Sequence, residues 1–266
     1  MTLSPNSALY VALVLYAIGT LVALLSLLVR ERGLQRAGLV AMIAGFVAHT
    51  LWIGTICVRT GHPPLTNLPE AAAFVSWTLF AVELFLLARY RVHAAAFFVY
   101  PLVLILLMVA AVVHEPFARI DPALRSSLFT AHLLLSTVGV AGLFIALAFT
   151  LLSYMQDRAL KSKTRGRLWD LTPSLSVLNL VSYRSLAIGF SIYTMGILTG
   201  ILWSYRTTAG PIDFRSKQIG AVVAWMLFAA LLQSYITGAY RTRRTMLISA
   251  AAFLATVVAI LGIHHG

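Results

Sequence analysis

The chain has 266 residues, 60% of them hydrophobic and only 11% charged, with a mean hydropathy of +0.90 and a formal net charge of +12. A soluble domain averages about 25% charged residues, so this balance excludes an ordinary water-soluble fold. The one cysteine, Cys57, excludes a disulfide framework, a CxxC redox pair or a cysteine zinc site within a single chain.

Eight mostly apolar stretches lie near 8–29, 37–58, 70–89, 93–113, 126–152, 184–205, 218–240 and 245–263. Each is long enough to cross a hydrocarbon core about 30 Å thick. They predict an all-α membrane protein, a bundle of eight transmembrane helices. The first is read as a retained span rather than a removed leader. No basic residue precedes it, no small-residue cleavage site follows, and RERGLQR comes next. Fourteen of the 20 basic residues fall on odd-numbered connections, around Arg30, Arg89, Arg158–Arg184 and Arg241. Basic residues mark the cytoplasmic side, so both termini are expected on the exterior face. The charge is a topology signal directed at membrane lipid, and a nucleic-acid partner is not expected.

Between the second and third spans runs GHPPLTNLPE, 61–70, whose prolines forbid continuous helix. Asn67 with Pro69 predicts a helix cap, with Glu70 in the first turn where a negative charge is favoured. Inside the third span, Glu83 has to be neutral, paired or turned inward. Arg89, at i+6, is off its helical face, so an ion pair with another span is expected, with a proton path as the alternative. The one long connection, 157–184, has a basic first half. From Thr172, with Pro173 at the first helical position, Leu175, Val177, Leu178, Leu180 and Val181 predict a short amphipathic helix lying at the interface. In the sixth span, GILTG, 196–200, is a small-xxx-small pattern that lets two helices approach closely. No internal repeat of the transporter kind is legible.

The seven histidines are unevenly placed. On this topology His62, His114, His264 and His265 lie at the exterior side, His132 lies about two turns inside the fifth span on its outer half, and His93 alone is cytoplasmic. Histidine within a membrane segment is a functional candidate, which singles out His132 and His49. Zinc needs three or four ligands, and the acids Glu70, Glu115, Asp121 and Asp213 show no HExxH-like spacing. Haem iron needs only two axial ligands, one from each side of a flat ring. His132 and His264 suit that need, with Trp203, Trp77 and Trp52 as candidate walls. Tryptophan is equally an interfacial anchor.

The string LVSYRSLAIGFSIYTMGILTGILW, 180–203, preceded by PSLSVLN, resembles the cytochrome c assembly proteins of the CcsA/ResC type and their HemX-like relatives. Pro173, Tyr183, Arg184, Gly189, Gly196, Gly200 and Trp203 carry the likeness. Gly61, His62, Pro64, Leu65, Asn67 and Glu70 match the family's "GHxPLxNxYE" segment. The stretch 130–161 resembles its histidine-bearing span, and GIHHG its "GLHSYG" terminus. The resemblance covers residue 61 to the end, which divides the chain into a two-span segment, 1–60, and an assembly-like domain, 61–266, forming one integrated bundle.

The resemblance implies that His132 and His264 correspond to two exterior haem ligands. This chain departs from the family's tryptophan-rich "WGxxWxWDPKE" segment: FRSKQ, 214–218, stands there, keeping only Lys217. The family's membrane histidine is Gln233. That combination is the pattern of the HemX-like branch. The reading is a haem-handling protein of a bacterial inner membrane, holding haem b at its outer face for cytochrome c assembly. His62, Arg206, Arg215 and Lys217 are candidates near the haem edge or its propionates. A second membrane assembly protein and an apocytochrome c are the expected partners. No covalent catalysis by this chain is required. The alternative is a HemX-like membrane regulator or scaffold of haem biosynthesis that delivers no haem.

Overall fold

The computed structural model describes residues 6–29, 31–64, 67–90, 96–113, 126–163, 172–208, 216–237 and 242–261. All regular structure among them is helical. The eight helices are α1 (Ser7–Val29), α2 (Arg32–Thr60), α3 (Leu68–Tyr90), α4 (Ala96–Val112), α5 (Ser127–Lys161), α6 (Leu175–Thr208), α7 (Ser216–Ile236) and α8 (Thr242–Leu261). Six of them, α1 to α3 and α5 to α7, are long and apolar enough to cross a membrane, and α4 is a shorter apolar helix of 17 residues. The chain is a multi-pass membrane protein. It forms two compact units, Met1–Asp121 and Pro122–Gly266.

In the first unit α1 packs against α2 and α4, and α3 packs against α4 and more lightly against α2. Small residues let α1 and α2 come close. A Cβ on Gly45 would lie 2.6 Å from the Tyr16 ring, and one on Gly38 would lie 3.1 Å from the backbone of Ala23. The loop after α2 is built as its residues dictate. Gly61 takes a left-handed φ of 76° and its N–H donates to the Cys57 carbonyl at 2.9 Å, the usual helix stop. Asn67 Oδ1 then accepts the Glu70 N–H at 2.9 Å, while Asn67 Nδ2 donates to Glu70 Oε1 at 3.4 Å. The cap expected at Asn67 is present, and it is reciprocal.

In the second unit α5 packs against α6 and α8, and α7 against α8 and α6. Here the helices depart from expectation. The segment after Pro173 is not a separate interfacial helix: α6 runs unbroken for 34 residues and α5 for 35. At 1.5 Å per residue each is about 50 Å long, well beyond the hydrocarbon thickness. The reason lies in what the early turns of α6 touch. Leu178 and Val181 are fully buried while Leu180 is exposed. The Ser182 hydroxyl donates to the Ala146 carbonyl on α5 at 3.1 Å. The apolar stripe that suited a lipid surface is covered by α5. The helix also starts later than expected. The Ser174 carbonyl accepts from Val177 and Leu178, and Pro173 lies outside, its carbonyl accepting from Gln156 Nε2 at 3.0 Å.

Candidate functional site

Close approach of α5 and α6 shapes the site. A Cβ on Gly139 would stand 2.6 Å from the Tyr193 nitrogen, one on Gly142 3.1 Å from Gly189 Cα, and one on Gly196 2.8 Å from the Ser136 nitrogen. Glycine at these positions removes the side chain that would hold the helices apart. The GILTG pattern therefore packs, and its neighbour is α5. At the last contact of this seam the partner of glycine is a ring. A Cβ on Gly200 would lie 2.6 Å from both Cε1 and Nδ1 of His132.

That seating fixes the imidazole chemically. His132 Nδ1 is 2.7 Å from the Gly196 carbonyl oxygen. A carbonyl only accepts, so Nδ1 carries a proton, and in the neutral ring the lone pair is on Nε2. The hydroxyl of Ser136 lies 3.4 Å from Nδ1, on the same side of the ring. Nε2 has no hydrogen-bond partner among the described residues. An imidazole held by an Nδ1–H bond to backbone, with Nε2 free, is the form in which histidine ligates a metal. His132 is partly exposed. His132 held in this way could ligate a haem iron.

Trp203 stands on α6 three residues beyond Gly200. Its ring packs on Phe129 of α5, centroids 4.9 Å apart and 45° inclined. Phe129 is itself placed by the start of α5, where the Ser126 hydroxyl accepts its N–H at 3.2 Å. Arg206 is exposed in the last turn of α6. Thus His132, Trp203 and Arg206 belong to one end of the α5–α6 pair. Phe129 and Ser136 were not singled out from sequence, since their role depends on which residue α6 sets opposite them.

The other expected residues fare differently. His264, His265, His114, His93 and Arg215 lie outside the described residues, as does the side chain of Lys217. His62 belongs to the first unit, where its Nδ1 donates to the Pro63 carbonyl at 2.9 Å. Trp77 and Trp52 also belong to that unit. Trp77 stacks on Phe46 at 5.4 Å and donates to Thr50 at 2.8 Å, and Trp52 is buried against His49. Gln233, expected to hydrogen-bond within the bundle, is exposed on α7, while its backbone carbonyl accepts from Thr237. The ion pair expected for Glu83 does not form: neither carboxyl oxygen has a hydrogen-bond partner among the described residues. The described arginines of α2 and α3, Arg36, Arg59 and Arg89, are all exposed. No group of three or more His, Cys, Asp or Glu side chains among the described residues is arranged to hold a metal ion by itself.

Comparison with known proteins places this geometry. The family model described as cytochrome C assembly protein matches residues 65–265. The chain is 25% identical to the cytochrome c biogenesis protein CcsA of Guillardia theta over 241 residues, covering 84% of this chain and 80% of that protein. It is 25% identical to the CcsA of Prochlorococcus marinus (strain MIT 9301) over 77% of this chain and 74% of the relative. With the CcsA of Synechococcus sp. (strain CC9902) the identity is 24%, over 86% and 84%. A match spanning the helix pair that seats His132 and the segments on both sides of it means that this multi-pass membrane chain belongs to the cytochrome c assembly protein family, whose work is cytochrome c biogenesis.

Proposed function

We propose that this chain holds haem b at the exterior face of a bacterial inner membrane during cytochrome c assembly, with His132 and His264 as the two axial ligands. The reading takes all eight helices as spans, with both termini outside. The observation that carries it is the bond from His132 Nδ1 to the Gly196 carbonyl, which leaves Nε2 unpartnered at the end of the helix pair that also holds Trp203 and Phe129. Arg206 and Lys217 are the candidates for pairing haem propionates, since charge-assisted bonds to carboxylates are strong. Haem supplies the iron and the vinyl groups to be attached. This chain's side chains bind and orient, and no bond is made by them. Thioether formation draws on the apocytochrome's own reduced cysteines, and a second membrane assembly protein is the expected companion.

The test is optical. The chain purified from haem-replete cells shows a Soret band, which falls by at least tenfold in the His132→Ala/His264→Ala double variant while the helical circular dichroism is kept. Loss of the Gly196 bond should be milder than loss of the ring. A colourless wild-type protein would instead favour a HemX-like regulator that binds no haem, consistent with the missing tryptophan-rich segment at 214–218.

A further inference from the structure

The core of the first unit holds a second set of chemically capable side chains, and the haem reading uses none of them. Tyr16 of α1, His49 and Trp52 of α2 and Glu83 of α3 are all between 0% and 3% exposed. The Tyr16 hydroxyl, both His49 ring nitrogens, the Trp52 indole nitrogen and both Glu83 carboxyl oxygens lack a hydrogen-bond partner among the described residues. Tyr16, His49 and Trp52 are neighbours. Tyr16 meets His49 edge-on at 5.9 Å between ring centroids, and His49 lies 6.0 Å from Trp52. Tyr16 also meets Phe80 at 5.7 Å. Glu83 follows Phe80 on the same buried face of α3, about 4.5 Å further along the axis.

The surroundings narrow what these groups can do. Neither α1 nor α4 contains a charged residue. The titratable group that α4 contributes is Tyr100, 5.8 Å from Phe80 by ring centroid. From α2 come His49 itself and, at exposed positions, Arg36 and Arg59. From α3 come Glu70 in the first turn and the exposed Arg89. Glu83 and His49 are therefore the acid and the base buried in this core, and neither has a counter-ion among the described residues. No group of three or more His, Cys, Asp or Glu side chains among the described residues is arranged here for a metal ion. Water needs two to four polar partners to be held inside a protein, and this core offers six unclaimed polar atoms. Ionisable groups within a membrane segment mark proton routes where they can pair only with one another.

We propose that the core of the first unit is a proton-exchange site, in which Glu83, the Tyr16 hydroxyl and His49 pass a proton through water admitted between the four helices. The step is balanced. The Glu83 O–H bond breaks, water relays the proton and an N–H bond forms on His49. The products are a carboxylate and an imidazolium whose charges sum to zero, so no net charge arises in the apolar core. The Trp52 N–H and the Tyr16 hydroxyl donate hydrogen bonds along the route and end the step unchanged.

Infrared titration of the full chain in lipid nanodiscs tests this without haem. The expected result is a protonated-carboxyl carbonyl band that shifts on transfer to D2O, disappears in Glu83→Gln and titrates at a different pH in His49→Gln. A spectrum identical in wild type and Glu83→Gln overturns the site. So does a Glu83 band that ignores D2O, or one whose titration is unmoved by His49→Gln. Should Glu83→Gln fail to fold, Tyr16→Phe keeps the question open to decision, because it removes one hydroxyl and no volume. The carboxyl band then moves in frequency if the hydroxyl lies on the route, and an unmoved band overturns the relay.

Discussion

In the first unit α1 pairs with α2 and closes on α4, and in the second α5 pairs with α6 and closes on α8, so both are rings of four helices taken in the same order. Their interiors were filled by opposite means. The second unit is zipped by backbone contact through Gly139, Gly142, Gly189 and Gly196. Its buried hydroxyls are tied across helices: Ser182 donates to the Ala146 carbonyl and therefore accepts from both Thr150 Oγ1, at 2.7 Å, and the Tyr235 hydroxyl, at 3.1 Å. Trp225 likewise donates to Thr194 at 2.9 Å. The first unit centres on the rings of Tyr16, His49, Phe46, Phe80 and Tyr100, meeting at 5.5 to 5.9 Å. Both units bury some unpartnered polar atoms, but in the second they are hydroxyls and an amide oxygen, none ionisable. Where hydrogen bonds are closed, the structure holds one geometry, and a histidine such as His132 is held by one ring nitrogen. Where ionisable groups are left open, the structure keeps the capacity to admit water and protons.

Substitutions on the two sides should separate these designs. The largest effect is expected from Gly139→Leu, whose side chain would run into Tyr193 N, Cα and Cβ, atoms that cannot move aside without shifting the helix. Overpacking of this kind costs about 3 kcal/mol or more, and a thermal melt should find no cooperative transition or one lowered by many degrees. Ser182→Ala comes next. It removes a donor to the Ala146 carbonyl and an acceptor for two hydroxyls, so about 1–3 kcal/mol of stability should be lost. The smallest effect belongs to the first unit. Tyr16→Phe deletes a hydroxyl that no described residue partners, and the melt should move by no more than about 0.5 kcal/mol. Equal losses from Ser182→Ala and Tyr16→Phe would break the comparison, because both cores would then depend on their hydroxyls to the same degree.

Much of this was legible in the residues themselves. The run of apolar stretches announced the helices, the prolines of 61–70 announced a break in helix, and the cap at Asn67 followed from local chemistry that acts within four residues. GILTG announced a close helix contact without saying with what. The choice of His132 followed from its place within an apolar span and from the family likeness, but its tautomer was not legible, because that depends on a carbonyl 64 residues away. The short interfacial helix expected after Pro173 was misjudged for a related reason: an apolar stripe has the same period whether lipid or another helix covers it. The ion pair expected for Glu83 is absent among the described residues, because α1 and α4 carry no charge and the described arginines of α2 and α3 are exposed.

What the sequence determined by itself, then, was the membrane as solvent, the helices and their stops, and the residues with unusual chemistry. These follow from hydrophobic length, from backbone bonds that close within a turn and from the cost of a charged group in hydrocarbon. Only the tertiary structure decided which face of each helix is covered, that glycine brings α5 against α6, and that one histidine is held by a carbonyl while another is left unpartnered among rings. Those outcomes depend on residues far apart in the chain, and a side chain's protonation and reach are set by the atoms folding puts beside it.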